Sequence, residues 1–465
     1  MLLNMRIPGV AAAVSVVTLA VTPGPVPAQG SDVVKAIHRQ RAAPPGATFR
    51  EGEVIVAFRG DLEPRDADRM LGGGVVREGR RSRSGPRYLL SLEAGVSTAE
   101  AVRLFSGTPE VEYAEPNGLV RASQAATLVP NDFYYRRLQW NFTQVNAERT
   151  WGIQSGKSNV AVAVVDTGVA YEDYNDPITG QAFRKAPDWG GTVFLPGYDF
   201  VNGDAHPNDD AFHGTHVAST IAEATNNGIG TAGLAFGCAI MPVKVLDAEG
   251  TGTFFDVAEG IDYASGYTEG GERPVKVISM SLGTEGFSQT MKNAVDRAVA
   301  SGVLVVAAAG NSGTGTVEFP ANLANVVAVG ALDQRKERAN YSNTGSDLDF
   351  VAPGGDCDRD DNADGVRDCI WQQTLDTDFV ELGRYDQFCY CGIDGTSAAA
   401  PHFAAAAALL FSQGFTDPSA VRAALEQTAE RLGGAPADGR NDTFGFGLVQ
   451  PAAALPGLGF NQGPK

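Results

Sequence analysis

An α/β architecture, with a parallel sheet between helices and a small α+β unit ahead of it, is what three features of this 465-residue chain predict. Strands dominated by Val, Ile, Leu and Ala recur at Val160–Val165, Val277–Met280 and Val303–Ala309, and runs of this kind are buried on both faces. Helical stretches lie between them, and strand-helix alternation implies βαβ units. The strands end in Asp166-Thr167-Gly168, Ser281-Leu282-Gly283 and Gly310-Asn311, and open parallel sheets gather their reactive groups at such carboxyl ends.

The bulk composition narrows the function classes. A hydrophobic share of 43% with 56 glycines describes a folded, turn-rich chain. The net charge of -19 argues against nucleic acid as a partner and for a self-repelling surface able to hold divalent cations. Of five cysteines, Cys357, Cys369, Cys389 and Cys391 crowd one region, a clustering useful as cross-linking only in an oxidising compartment. Their pairing stays open, and Cys238 reads as a small buried apolar residue.

Taken in order, residues 1–28 read as a secretory signal: Arg6, an apolar run from Val10 to Val21, and Ala28 as the small residue before a cut. The run is too short to span a bilayer, so the alternative of an uncleaved anchor is disfavoured and the mature chain is expected outside the cell or in a periplasm. Residues 50–122 form the small α+β unit, with strands at Val54–Phe58, Tyr88–Leu92 and Val111–Asn117 and a helix at Thr98–Phe105. Between its first two strands Arg77, Arg80, Arg81, Arg83 and Arg87 read as a solvated loop, a place for proteolytic cutting or for contact with the acidic remainder. A linker of small and polar residues leads to the main unit at 130–455, and 456–465 is a short tail.

The chemistry-bearing segments lie in the main unit. In Gly395-Thr396-Ser397-Ala398-Ala399-Ala400-Pro401-His402 a turn leads into an apolar helix running to Phe411, which sets Ser397 at a helix N-terminus with Pro401 expected in the first turn. An ordinary serine cap on a buried helix is the plain alternative. Asp166 directly follows a buried strand and therefore needs a hydrogen-bonded partner. His213, in His213-Gly214-Thr215-His216, is the candidate partner; two histidines three apart also suit zinc, but no third ligand at suitable spacing follows. Asn311 at a strand end offers the neutral donor that an oxyanion site requires, or is simply a turn asparagine.

Two loops are rich in oxygen. Thr225-Asn226-Asn227-Gly228-Ile229-Gly230-Thr231 is a plain loop or, with Asp132 and an acid near Asp173 or Asp176, a cage for calcium. Asp360, Asn362, Asp364 and Asp368 with Gly365 match the first half of an EF-hand-type loop, but Trp371 stands where a bidentate acid is expected, and an acidic turn tied by cysteines is the alternative.

Asp166-Thr167-Gly168, His213-Gly214-Thr215-His216, Ala309-Gly310-Asn311 and Gly395-Thr396-Ser397-Ala398-Ala399-Ala400-Pro401 together resemble the subtilisin-like serine proteases, over a span from about Pro130 to Val449. The resemblance implies the subtilisin-like three-layer fold, with Ser397 as nucleophile, His213 as general base and acid, Asp166 as the group orienting the imidazole, and Asn311 as oxyanion donor beside the Ser397 N–H. It implies that Ser281, Leu282, Gly283 and Ala308, Ala309, Gly310 pair with an extended substrate, and that Glu318 lies on the floor of the specificity pocket, where a carboxylate favours basic side chains. Residues 50–122 would be an inhibitory propeptide, and the oxygens of Asp132, Thr225, Asn227, Ile229 and Thr231 would hold structural calcium. The expected protein is a secreted, monomeric serine endopeptidase working through an acyl-enzyme on Ser397 and made as an autoprocessed precursor. Its expected partners are protein or peptide substrates and its own propeptide, with no nucleic acid, no membrane anchor after signal cleavage and no cofactor for catalysis. An inactive calcium-binding scaffold would lack part of the triad, and an α/β-hydrolase esterase would carry a second glycine after Ser397, where Ala399 stands.

Overall fold

The computed structural model describes residues 49–60, 66, 69, 73–83, 85–118, 127–434 and 439–455, so the expected signal segment and tail lie outside the described residues. The chain divides into two units, residues 1–123 and 124–465, each with its own apolar core.

The first unit is a four-stranded antiparallel sheet with one helix: β1 (Phe49–Phe58), β2 (Val76–Arg81), β3 (Arg87–Leu92), α1 (Thr98–Ser106) and β4 (Val111–Gly118), in the order β2-β3-β1-β4. Period-two alternation buries Val54 and Val56 of β1 and Tyr88, Leu90 and Leu92 of β3 on one face, where Ala101 and Phe105 of α1 close the core. Ser97 caps α1 by accepting the Glu100 N–H at 3.2 Å. Arg77, Arg80 and Arg81 lie on β2, not in a loop, because the strand is held by its ladder with β3, where Arg80 faces Leu89 and Arg81 faces Tyr88. Exposed arginines on an edge strand also discourage further pairing.

In the second unit the strands are β5 (Ala161–Asp166), β6 (Tyr198–Asp199), β7 (Ala239–Lys244), β8 (Val275–Met280), β9 (Leu304–Ala308), β10 (Val326–Leu332) and β11 (Phe350–Pro353). They form one parallel sheet in the order β11-β10-β9-β8-β5-β7-β6. Every residue of β5, β7 and β9 is buried, as continuous apolar strands require. The helices α2 (His213–Ala222), α3 (Phe254–Gly266), α4 (Gln289–Ala300) and α5 (Thr396–Gln413) flank the sheet, α2 packing on α5 and α3 on α4, and α6 (Pro418–Thr428) follows. Two antiparallel pairs stand apart from the parallel sheet among the described residues: Tyr174–Asn175 with Ala182–Phe183, and β12 (Ile370–Leu375) with β13 (Phe388–Ile393). Disulfides join Cys357 to Cys369 and Cys389 to Cys391, and Cys238 is free and buried.

The helix α5 is apolar on nearly all sides and is buried along almost its whole length, with the Phe403 ring packed at a tilt against Phe350 of the sheet. Burying a side chain such as Phe403 contributes roughly 1.5–3 kcal/mol, so the helix is a rigid support. Among the described residues no helix is long and apolar enough to cross a membrane.

Candidate active site

Three adjacent strands, β9, β8 and β5, deliver side chains to one edge of the sheet. Asp166 is the last residue of β5 and is fully buried; its Oδ1 accepts the Thr167 N–H at 2.8 Å and lies 2.7 Å from His213 Nδ1. The His213 side chain remains 22% exposed, and its second ring nitrogen has no protein partner among the described residues. Burial pulls the imidazole pKa down, but the charge and hydrogen bond of Asp166, with the charge of Asp209, outweigh burial and hold it above the ordinary 6.5.

Ser397 is the second residue of α5. Pro401 lies inside the helix, beyond the first turn where it was expected. Its missing N–H leaves the Ser397 carbonyl without the usual helical donor, and the Ser281 hydroxyl donates to that carbonyl instead, at 2.8 Å. The segment after β8 thus holds the backbone of Ser397 in place.

Asn311 is oriented by the same helix start. Its Oδ1 accepts both the Thr396 N–H and the Thr396 hydroxyl at 2.8 Å, which leaves Nδ2 as a free donor among the described residues. Gly395 stands between the two groups with φ +150: a Cβ there would lie 2.9 Å from Ser397 Oγ and 3.4 Å from Asn311 Nδ2. Hydroxyl and amide therefore border one spot, which only glycine leaves open.

Ser281-Leu282-Gly283 forms a wall shared by two cavities. The larger, about 530 Å³, is lined by Thr167, Phe212, His213, Phe254 and Met291 among others. The smaller, about 290 Å³, is lined by Ala308, Gly310, Asn311, Ser312, Glu318, Thr396 and Ser397. Ala309 does not line it: the residue is fully buried, and its N–H and C=O are bonded to the Val329 carbonyl and the Glu318 N–H. The Glu318 carboxylate sits between two backbone walls, since a Cβ on either Gly283 or Gly310 would collide with it. Only neutral donors reach it, the Ser312 hydroxyl at 3.4 Å and Asn343 Nδ2 at 3.3 Å, both on Oε1, and no Lys or Arg pairs with it among the described residues.

The loop 225–231 closes over buried carboxylates. Asp132 accepts the Asn226 N–H at 2.7 Å, and Asn227 Nδ2 donates to Asp188 at 2.6 Å. The acid that meets this loop is Asp188, whereas Asp176 caps its own turn at Ile178 and Asp173 accepts the Lys185 N–H. Glu223, fully buried beside Asp188, accepts from the Thr231 hydroxyl at 2.9 Å. Burial first, then the neighbouring Asp188 charge, pushes the Glu223 pKa well up, and burial also raises Asp188 and Asp132. Asp132 Oδ1 is buried without a hydrogen-bond partner among the described residues, and the Glu223 carboxyl is hydrogen-bonded to that of Asp188. Asp188, in Ala186-Pro187-Asp188-Trp189, carries no local mark in the sequence, whereas Glu223 carries one as the acid directly after the His213 helix.

In the acidic loop the oxygens are differently employed. Asp360 accepts the Asp364 and Gly365 N–H groups, Asn362 accepts the Asp364 N–H, and Asp364 accepts the Val366 N–H. Asp368 alone of the four is buried, and it accepts the Asp361 N–H at 2.7 Å. No group of three or more His, Cys, Asp and Glu side chains set to hold a metal occurs among the described residues.

Residues 157–447 match the Subtilase family, and residues 36–117 match the fervidolysin N-terminal prodomain. The chain is 36% identical over 409 residues to the thermophilic serine proteinase of Bacillus sp. (strain AK1), covering 87% of this chain and 88% of that protein. It is also 36% identical over 305 residues to thermitase of Thermoactinomyces vulgaris, covering 66% of this chain and 93% of that one. Among solved structures, a protease from Pseudoalteromonas arctica PAMC 21717 aligns with a TM-score of 0.59 at 31% identity, over 70% of this chain and 99% of the other.

Proposed function

Because the chain belongs to the subtilase family of serine endopeptidases and carries an N-terminal prodomain, we propose that it cleaves peptide bonds through an acyl-enzyme on Ser397. The observation that carries this reading is the convergence at one sheet edge of the Asp166–His213 pair, the Asn311 amide and Ser397 at a helix N-terminus. His213 takes the Ser397 proton as the hydroxyl attacks the carbonyl, and then gives it to the leaving amine. Asp166 holds the imidazole in one tautomer and stabilises its charged form. Negative charge developing on the carbonyl oxygen is met by Asn311 Nδ2 and the Ser397 N–H at the positive end of α5. Ser281-Leu282-Gly283 on one side and Ala308 and Gly310 on the other pair with the extended substrate backbone.

Glu318, with no cation paired to it among the described residues, makes the 290 Å³ cavity a receptor for a basic side chain on the acyl side of the cleaved bond. The prodomain, within residues 50–122, inhibits the peptidase unit until the precursor cuts itself, and the segment 1–28 directs export; an extracellular protease of Xanthomonas campestris is among the relatives, 34% identical over 462 residues. The mature enzyme acts as a monomer. Calcium is structural: Asp132, Asp188 and Asn227 with the carbonyls of Thr225, Ile229 and Thr231 would hold it, and the partnerless buried Asp132 Oδ1 fits a cation ligand. A second ion would sit at Asp360, Asn362, Asp364 and Asp368. Bound calcium would add stability to the folded state and supply nothing to the chemistry.

The test is expression of the full chain as wild type and as Ser397→Ala, with calcium and after chelation. The wild type should shorten by roughly the length of the prodomain and digest casein, the variant should do neither, and chelation should lower the wild-type melting temperature. A Ser397→Ala chain that still matures and digests casein would overturn the assignment.

A further inference from the structure

The Asp166–His213 geometry is not held by those two side chains alone. Thr167 follows Asp166 in sequence, and Gly214 follows His213. The Thr167 hydroxyl accepts the Gly214 N–H at 2.9 Å and donates to Asp209 Oδ1 at 2.9 Å. A second hydroxyl makes the mirror connection: Thr215 Oγ1 accepts the Ala170 N–H at 3.0 Å and donates to Asp209 Oδ2 at 2.6 Å. Asp209 also accepts the Ala211 N–H at 3.0 Å and the Thr215 N–H at 2.9 Å, and it is only 1% exposed. Each of the two segments that carry the pair thus hydrogen-bonds to a threonine hydroxyl of the other, and one buried carboxylate accepts hydrogen bonds from both hydroxyls.

The same contacts solve a problem at the start of α2. Its N-cap residue, Phe212, has no side-chain acceptor, so the first-turn N–H groups of Gly214 and Thr215 would be orphaned. Thr167 and Asp209 meet them from outside the helix. Behind them Lys244, wholly buried and in register with Asp166 on β7, donates to the Thr167 carbonyl at 2.8 Å, to the Leu246 carbonyl at 2.7 Å and to Asp210 at 2.6 Å.

We propose that Thr167 and Asp209 are positioning residues for the hydrolysis reaction, forming a clamp that sets the separation and orientation of Asp166 and His213. This rests on the proposed triad. The clamp has two separable parts: a hydroxyl that carries only geometry, and a carboxylate that carries geometry and charge. Among the described residues, the charges that act on His213 are those of Asp166 and Asp209, and Glu249 lines the same cavity; His216 beneath it is neutral, and Lys244 and Asp210 pair with each other behind Thr167. Asp209 therefore adds to the negative potential that favours the imidazolium.

The experiment uses the full chain matured in calcium, as wild type, Thr167→Val, Thr167→Ser and Asp209→Asn, with competent serines counted by a fluorophosphonate probe. Thr167→Val should lower kcat per titrated site about ten- to hundred-fold at unchanged KM, the effect of slight misplacement of catalytic groups, without moving the acid limb of the pH profile. Thr167→Ser should restore most of that loss. Asp209→Asn should lower kcat and also move the acid limb to lower pH, since the imidazole loses a charge that holds its pKa up. Wild-type kcat per site in Thr167→Val, or equal loss in Thr167→Ser and Thr167→Val, would overturn the clamp. If Asp209→Asn fails to mature, the two Thr167 variants decide alone. Failure of the underlying triad would show separately, as absence of probe labelling in the wild type.

Discussion

His213 and His216 stand three residues apart on one helix, and the fold gives them opposite chemistry. His213 meets a carboxylate at 2.7 Å on the reacting edge, and its pKa rises. His216 is wholly buried, with Nε2 3.0 Å from the Ile370 carbonyl, and burial pulls its pKa down to about 3. One imidazole gains a proton easily near neutral pH; the other stays neutral in any ordinary buffer. A histidine becomes a base through the charge that faces it, and the motif supplies only the residue.

Replacing each histidine in turn is the strongest way to break this comparison. His213→Ala should reduce kcat about a million-fold, the size of effect a triad member commands, as read by turnover of a chromogenic peptide. Next in size, Asn311→Leu should cost about a hundred- to a thousand-fold in kcat with little change in KM, which separates stabilisation of charge from proton transfer. Glu318→Gln should lower kcat/KM for Arg and Lys substrates about ten- to hundred-fold while sparing Leu and Phe substrates, because only the charged partner is lost; equal cleavage after Lys and after Leu in the wild type would remove the specificity assignment. His216→Asn should leave kcat within about threefold and instead cost about 1–3 kcal/mol of stability, seen as a lower melting temperature, since a buried hydrogen bond and its packing are disturbed. The smallest effect is the pH profile itself. The folded His213 pKa is raised, so kcat/KM should fall on acidification with an apparent pKa above 6.5, and a limb well below that value would contradict the pairing with Asp166.

The oxygen-rich loops make the same point for carboxylates. Asp360, Asn362 and Asp364 satisfy themselves within a local turn, so their pattern is visible in a dozen residues. Asp132, Asp188 and Glu223 come from three separate places in the chain and meet only after folding, where the 225–231 loop meets Asp132 and Asp188 through Asn226 and Asn227. Spacing in the sequence carried no sign of Asp188, since nothing local distinguishes it from other acids before an aromatic residue.

By itself the sequence determined what depends on local periodicity and on residue type: buried parallel strands, the apolar helix behind Ser397, and the polar residues placed at strand ends, because these follow from neighbours along the chain. The tertiary structure alone decided what depends on neighbours across it. Pro401 is accommodated in the second turn because Ser281 supplies the donor that its ring cannot. Arg77, Arg80 and Arg81 form a strand because β3 lies alongside. His213 and His216 part ways because one faces Asp166 and the other faces a backbone carbonyl. Burial and electrostatic pairing are properties of three-dimensional proximity, and they turn residues of the same type into groups of different function.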